Sequence, residues 1–218
     1  RTLAFLKKVK NAQVIANKKN LGYATAVNQA VKSVKTDLFC LLNNDIIVSQ
    51  DWLSDLVRIF KSTPNLEQLT TNSNTIIGND KPFLGVSFDN WIEFEKMHSD
   101  LPPQKLFEMY YKDYDEFVSK NKKGHKGIIE SRKAPTWFMG GWCLLMMTKI
   151  LDKIGGFLYD ERFKIGFWED VDLSWRIGLA GGKLAVAREV YLHHFINTSI
   201  NMLSDARKKI AGQNKERF

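Results

Sequence analysis

Apolar residues recur along the chain with two alternating periods. Ala24, Val27, Val31 and Val34 fall at helical spacing, which predicts an amphipathic helix after Gly22. Leu38-Phe39-Cys40-Leu41-Leu42 is a continuous apolar run, the pattern of a strand covered on both faces. It stops abruptly at Asn43-Asn44-Asp45. A second helix is expected with Ser49 or Asp51 near its start, Trp52, Leu56, Val57 and Phe60 on its inner side, and Pro64 beyond its end.

From about Lys81 to Lys133 the texture changes: aromatic and charged residues mix without a strand period, and Pro102-Pro103 interrupts them. Phe107, Tyr110, Tyr111, Tyr114 and Phe117 fit one helix with an aromatic side. We read 81–133 as a helical insertion on the main fold, although such a stripe packs as ordinary core just as readily as it lines a binding surface. Strand and helix signals resume at Trp137. Trp142 to Met147 reads as a buried strand, Lys149 to Ile154 as a short helix stopped by Gly155-Gly156, and Leu173, Ile177 and Ala180 as another helix ended by Gly181-Gly182. Leu184-Ala185-Val186 and Val190-Tyr191-Leu192 read as two short strands leading into His193-His194, and 205–218 as a polar, basic tail. Alternating helices and strands imply an α/β layer structure.

The chain has 218 residues, enough for one well-cored domain with an appended subdomain, and 44% hydrophobic with 26% charged residues is the balance of a globular protein. No apolar stretch approaches membrane-spanning length. The net charge of +8 would suit phosphate contacts, yet no helix-turn-helix, zinc-finger spacing or RNA-binding aromatic motif accompanies it. A basic surface equally suits an enzyme with a pyrophosphate donor or one working beside anionic lipid. We therefore expect no nucleic-acid partner. Cys40 and Cys143 sit inside apolar runs and are expected to be buried free thiols.

Three clusters carry chemistry. Asn43-Asn44-Asp45 places a carboxylate and two amides at the end of an apolar strand, where ligands of open sheets collect. Oxygen ligands of this kind suit Mg²⁺ or Mn²⁺ bridging to substrate phosphates, and the same residues also simply make turns. Glu169-Asp170-Val171-Asp172 opens a helix behind Gly166-Phe167-Trp168. Capping, the helix dipole and an i,i+4 pair with Arg176 account for Asp172. Glu169 and Asp170, with Trp168 as an adjoining wall, suit general-base work. His193-His194 closes a strand, so its rings point to opposite sides and at most one reaches a shared site.

Asn20-Leu21-Gly22-Tyr23-Ala24 with Asn28, Leu42-Asn43-Asn44-Asp45, Gly140-Gly141, Gly155-Gly156-Phe157, Trp168 to Arg176 and His193-His194, in that order, resemble the family 2 glycosyltransferases, and most closely their bacterial rhamnosyltransferase-like branch. The resemblance implies a GT-A fold: a mixed sheet flanked by helices, with inverting sugar transfer from a nucleotide-sugar. It makes Asp45 the metal-coordinating carboxylate, one of His193 and His194 its late partner, and Asp170 the base with Glu169 beside it. Asn20, Gly22, Asn28, Asn43 and Asn44 fall at the donor nucleotide, and Gly141, Trp142 and Trp168 on the acceptor side. Implied partners are Mn²⁺ or Mg²⁺, a UDP- or dTDP-sugar and a glycan or lipid-linked acceptor of polysaccharide synthesis, in the cytoplasm or at the inner membrane face. The insertion would lie near the acceptor.

The chain also departs from the family pattern. The expected first strands are absent before Arg1, Leu3 to Val9 resembling the helix that follows them, so an N-terminally truncated domain is expected. Leu158 and Ala30 stand where aspartate and glycine are usual. A GT-A remnant serving as a sugar- or partner-binding module is the alternative reading.

Overall fold

Three strands running in one direction bring their ends to a single edge of a mixed sheet. The computed structural model describes residues 2–74, 88–127, 129–132, 139–164, 166–195 and 204–218. The strands are β1 (Leu38–Leu42), β2 (Ile46–Ile47), β3 (Leu66–Ser73), β4 (Ile129–Arg132), β5 (Cys143–Met147) and β6 (Lys183–His194). The helices are α1 (Thr2–Leu6), α2 (Tyr23–Val31), α3 (Trp52–Ser62), α4 (Phe88–Met97), α5 (Pro103–Tyr111), α6 (Tyr114–Gly124), α7 (Ile150–Lys153), α8 (Glu169–Leu179) and α9 (Ser204–Arg217). Sheet order is β1-β5-β3-β6-β2, with β4 also paired to β6. β5 is antiparallel to β1 and β3, and β3 is parallel to β6. The C-terminal ends of β1, β3 and β6 therefore meet the N-terminal end of β5.

Alternation along β5 divides the core. Leu144 and Met146 face α2, α7 and α8, whose Ala24, Val27, Ile150, Leu173 and Ile177 are buried with them. Cys143 and Leu145 face α3, through Leu56, Ile59 and Phe60. The result is a helix–sheet–helix sandwich. Arg176 ties α8 to the neighbouring loop: paired with Asp172 at 2.7 Å, it donates to the carbonyls of Ile154, Phe157 and Leu158 and lies over the Phe157 ring. Among the described residues, no helix is long and apolar enough to cross a membrane.

Several expectations are corrected. β1 is not covered on both faces: among the described residues it is an edge strand, with Leu38 to Leu41 only partly buried and Leu42 exposed. The central strand β3 was not expected, because its sequence LEQLTTNS has no apolar period, yet all eight residues are buried. Hydrogen bonds satisfy part of this polar content, such as the one from Thr70 Oγ1 to the Cys143 carbonyl at 2.6 Å, although the buried Gln68 amide has no partner among the described residues. The aromatic stripe is two helices, because Lys112 adopts φ 59° and Asp113 caps α6 by accepting from Glu116 N. Its rings pack on β6, Tyr111 and Phe117 against Tyr191.

The two short strands before His193 are one strand. It passes its charged middle as a bulge, pairing Thr71 with Ala187 and Asn72 with Tyr191. Asn121 of α6 donates to the Arg188 carbonyl at 2.9 Å, while Arg188 pairs with Glu130 and Glu189 with Arg58. Buried charges that would otherwise end a strand are thus satisfied. The basic segment at 205–218, expected as a tail, is the helix α9. Cys40 and Cys143 are free thiols 3.9 Å apart, the first only partly buried. Residues 81–87, Lys133 and Trp137, which bound the expected insertion, lie outside the described residues.

Candidate active site

The first station lies where β1 ends. Asn43 N donates to the Trp142 carbonyl at 2.9 Å, carrying the ladder one step beyond Leu42. The chain then turns into β2, which pairs Ile46 with His194 and Ile47 with His193. This turn brings Asp45 Oδ1 to 3.2 Å from His194 Nε2. Asn74, buried just after β3, clamps the backbone of His194 from both sides, through Nδ2 to its carbonyl and Oδ1 from its N–H. Asn44 is exposed beside them.

His193 points the other way. It is fully buried, its Nδ1 lies 2.9 Å from the Tyr111 hydroxyl, and the rings of Trp91, Phe107 and Phe195 surround it. Burial, then the neighbouring His194, push its pKa down to about 3. The alternation along β6 thus gives the two rings separate duties. His194 joins Asp45, whereas His193 packs against the helices between β3 and β5.

The second station is the start of α8. Asp170 Oδ2 accepts from Gly141 N at 3.2 Å and Oδ1 from Val171 N at 2.9 Å. Ser174 braces the same region by accepting from Met139 N and donating to the Asp170 carbonyl. A side chain at Gly141 would crowd the Tyr159 hydroxyl at 3.3 Å and sit in ordinary contact with Asp170 Cβ at 3.6 Å, and one at Gly140 would overlap the Trp142 ring. Burial raises Asp170 above its ordinary value, and the N–H groups of Gly141 and Val171 oppose that rise. Glu169 is buried with Oε2 unpartnered among the described residues. Burial, then the charge of Asp170, push Glu169 up to about 8.

Tyr23, absent from the expected site residues, links the stations. Its hydroxyl donates to Asn43 Oδ1 at 2.9 Å, and its ring packs on Tyr159 at 5.7 Å. Burial, then the charges of Glu169, Asp170 and Asp45, raise its pKa. All three carboxylates thus act on one phenol. Asn20 Oδ1 accepts from Gly22 N, and Gly22 at φ 88° delivers Tyr23 into the first turn of α2. The signal was present in Asn20-Leu21-Gly22-Tyr23. Asn74 left none, being one more polar residue at a polar strand's end.

Other expected site residues take supporting positions. Asn28 is buried, and its amide is engaged by the Tyr159 backbone on both sides and by Glu161, so it fastens α2 to that loop. Trp142 is buried in the core, donates to Thr71 Oγ1 and lies beside the His194 ring. Trp168 precedes α8 at φ 76° and packs on Phe218.

Glu169 gives a stability prediction. Its folded-state pKa exceeds the ordinary 4.5, so its contribution is full below that value and is lost as pH rises towards about 8. Glu169→Gln carries no such loss. It should unfold at higher temperature than the parent above pH ~8, with the gap closing towards pH ~5. Melting curves across that range check this; a gap independent of pH would refute it.

The residues at the first station fit a divalent cation. Among the described residues no group of three His, Cys, Asp or Glu side chains converges, so the protein would offer Asp45 and His194 and leave room for phosphate oxygens and water. Magnesium-type sites are commonly built from one or two carboxylates with substrate phosphates and water, which Asp45 would serve.

The glycosyl transferase family 2 model matches residues 1–155, which include Asn43 to Asp45 and Gly141. No curated protein sequence matches the chain. Among solved structures, it is similar to a crystal structure of GalNAc-T7 with UDP, GalNAc and Mn²⁺, at 16% identity and a TM-score of 0.54. The similarity covers 88% of this chain and 34% of the other, so this chain spans about a third of that relative's length. The fold is GT-A, and the chain belongs to glycosyl transferase family 2.

Proposed function

We propose that the chain is the transferase domain of an enzyme that moves a sugar from a nucleotide-sugar to a hydroxyl acceptor, with inversion and with a divalent cation. One observation carries this reading. Tyr23 stands between an Asp45–His194 station and a Glu169–Asp170 station on a single edge of the sheet. The relative of the same fold was crystallised with UDP, GalNAc and Mn²⁺, which supports a UDP- or dTDP-sugar as donor and Mn²⁺ or Mg²⁺ at Asp45 and His194.

In this reading Asp170 takes the acceptor's hydroxyl proton. The acceptor oxygen bonds to the anomeric carbon as the bond to the diphosphate oxygen breaks, and the nucleoside diphosphate leaves with that electron pair. One displacement inverts the centre and needs one base. Burial and the charge of Asp170 push Glu169 up to about 8, so it is largely protonated at neutral pH, which favours its neighbour as the base. Asp170 suits that role: a carboxylate lifted above its ordinary range is a stronger base while still able to ionise. A cation at Asp45 and His194 would supply Lewis-acid offset of the charge gathering on the departing diphosphate. Asn43 and Tyr23 form a polar floor between the stations.

The test is a thermal-shift panel of UDP-, dTDP- and GDP-sugars with and without Mn²⁺, followed by a transfer or hydrolysis assay on whatever binds. Metal-dependent stabilisation by one nucleotide class, with turnover, is expected. Saturating nucleotide-sugar that neither shifts melting nor turns over would sink the proposal.

A further inference from the structure

The α9 sequence SDARKKIAGQNKER has one large apolar side chain, Ile210, and no apolar stripe. Ordinary amphipathic burial therefore does not explain why it docks. Two residues do. Asn214, fully buried, donates through Nδ2 to the carbonyls of Phe163 and Gly166 at 2.8 Å and of Phe167 at 3.2 Å. Its Oδ1 accepts from Arg217, which fixes the amide with its donor end towards the loop. Phe218 packs on Trp168 at 5.4 Å and on Trp175 at 4.6 Å.

The loop so gripped is unusual. Lys164, Phe167 and Trp168 have φ of 54°, 72° and 76°, and Gly166 has 148°. Left-handed backbone is unfavourable for bulky residues and persists where surroundings impose it. The residues next in sequence are Glu169 and Asp170. Trp168, in the N-cap position, makes no side-chain cap bond, so α8 receives its entry angle from the loop.

We propose that α9 is a latch and that Asn214, through the carbonyls of Phe163, Gly166 and Phe167, is a positioning residue for Asp170. The positioning claim rests on the reading of Asp170 as the base. Asn214→Asp keeps the size but turns a carboxylate oxygen towards three carbonyls. Phe218→Ala loosens the helix without touching those carbonyls, and serves if the first variant does not fold.

Hydrogen exchange on the full chain without substrate reads the latch directly. The Gly166 and Val171 amides, bonded to Phe163 O and Asp170 Oδ1, should exchange roughly tenfold faster or more in Asn214→Asp, while amides of β5 keep their rates. Phe218→Ala should act in the same direction. Unchanged exchange at Gly166 and Val171 in both variants overturns the latch, whether or not the native chain transfers sugar. For the positioning role, kcat should fall about tenfold or more with donor KM held within about twofold, since the Asp45 station is separate. A native chain that transfers sugar, and an Asn214→Asp variant with the same kcat, would overturn that role while leaving the transferase reading intact.

Discussion

Replacing Asp170 with asparagine should cut the transfer rate by roughly a hundredfold or more, the scale of general-base loss, and leave donor binding in place. The substitution keeps size and helix position, and one amide oxygen still accepts from Gly141 N or Val171 N. What it removes is the capacity to take a proton. On this reading the same carboxylate should set the native pH profile. Because burial raises Asp170, activity should fall on the acid side at a higher pH than an ordinary aspartate would give. Glu169→Gln should retain transfer at neutral pH, because burial and the charge of Asp170 push Glu169 up to about 8 and keep it largely protonated there. Steady-state rates of both variants across pH, with nucleotide binding measured in parallel, decide the matter. An inactive Glu169→Gln beside a fully active Asp170→Asn would move the base to Glu169. Two fully active variants would end the assignment of this acidic pair.

The two residues of that pair differ in surroundings although they are adjacent in sequence, and this bears on what the sequence could show. The Leu38–Leu42 and Cys143–Met147 strands and the α2 and α8 helices were legible because apolar period is a local property. So was the placement of Asn43 to Asp45 and of Glu169 and Asp170 at element ends. The central strand β3 was not legible: its burial comes from neighbours on both sides, and hydrogen bonds such as Thr70 to Cys143 stand in for apolar character. Strand β6 looked like two pieces because Arg188 and Glu189 interrupt its apolar run, and the groups that satisfy them, Asn121, Glu130 and Arg58, are far away in sequence.

Site residues follow the same division. The place of Asp45 at the end of its strand was legible locally, whereas which histidine faces Asp45 depended on the β2 pairing and the aromatic cage around His193. Asn28 has the composition of a ligand contact, and only long-range partners show that its amide is already engaged. Asn74 and Asn214 carried no signal, since a lone asparagine reads as a turn wherever it stands.

Asp45→Ala should abolish the Mn²⁺-dependent part of nucleoside diphosphate binding and leave the fold intact. The carboxylate is the negatively charged group that the turn after β1 brings to His194, with Oδ1 at 3.2 Å from Nε2. A hard cation loses most when its anionic oxygen ligand is removed, because imidazole alone suits it poorly. Backbone geometry should survive: Phe195 N still donates to the residue 45 carbonyl, and Asn74 still clamps His194. The loss of metal-dependent affinity should reach roughly a hundredfold, read as vanishing of the extra melting shift that Mn²⁺ gives to UDP or dTDP. His194→Ala should weaken the same shift. His193→Ala should spare it and instead lower stability by about 2 kcal/mol or more through the void left among Trp91, Phe107, Tyr111 and Phe195. The contrast between adjacent histidines separates a cation site from general damage at the end of β6. If Asp45→Ala keeps its Mn²⁺-dependent shift, Asp45 does not hold the cation; if the two histidine variants behave alike, the division of duties between their rings fails.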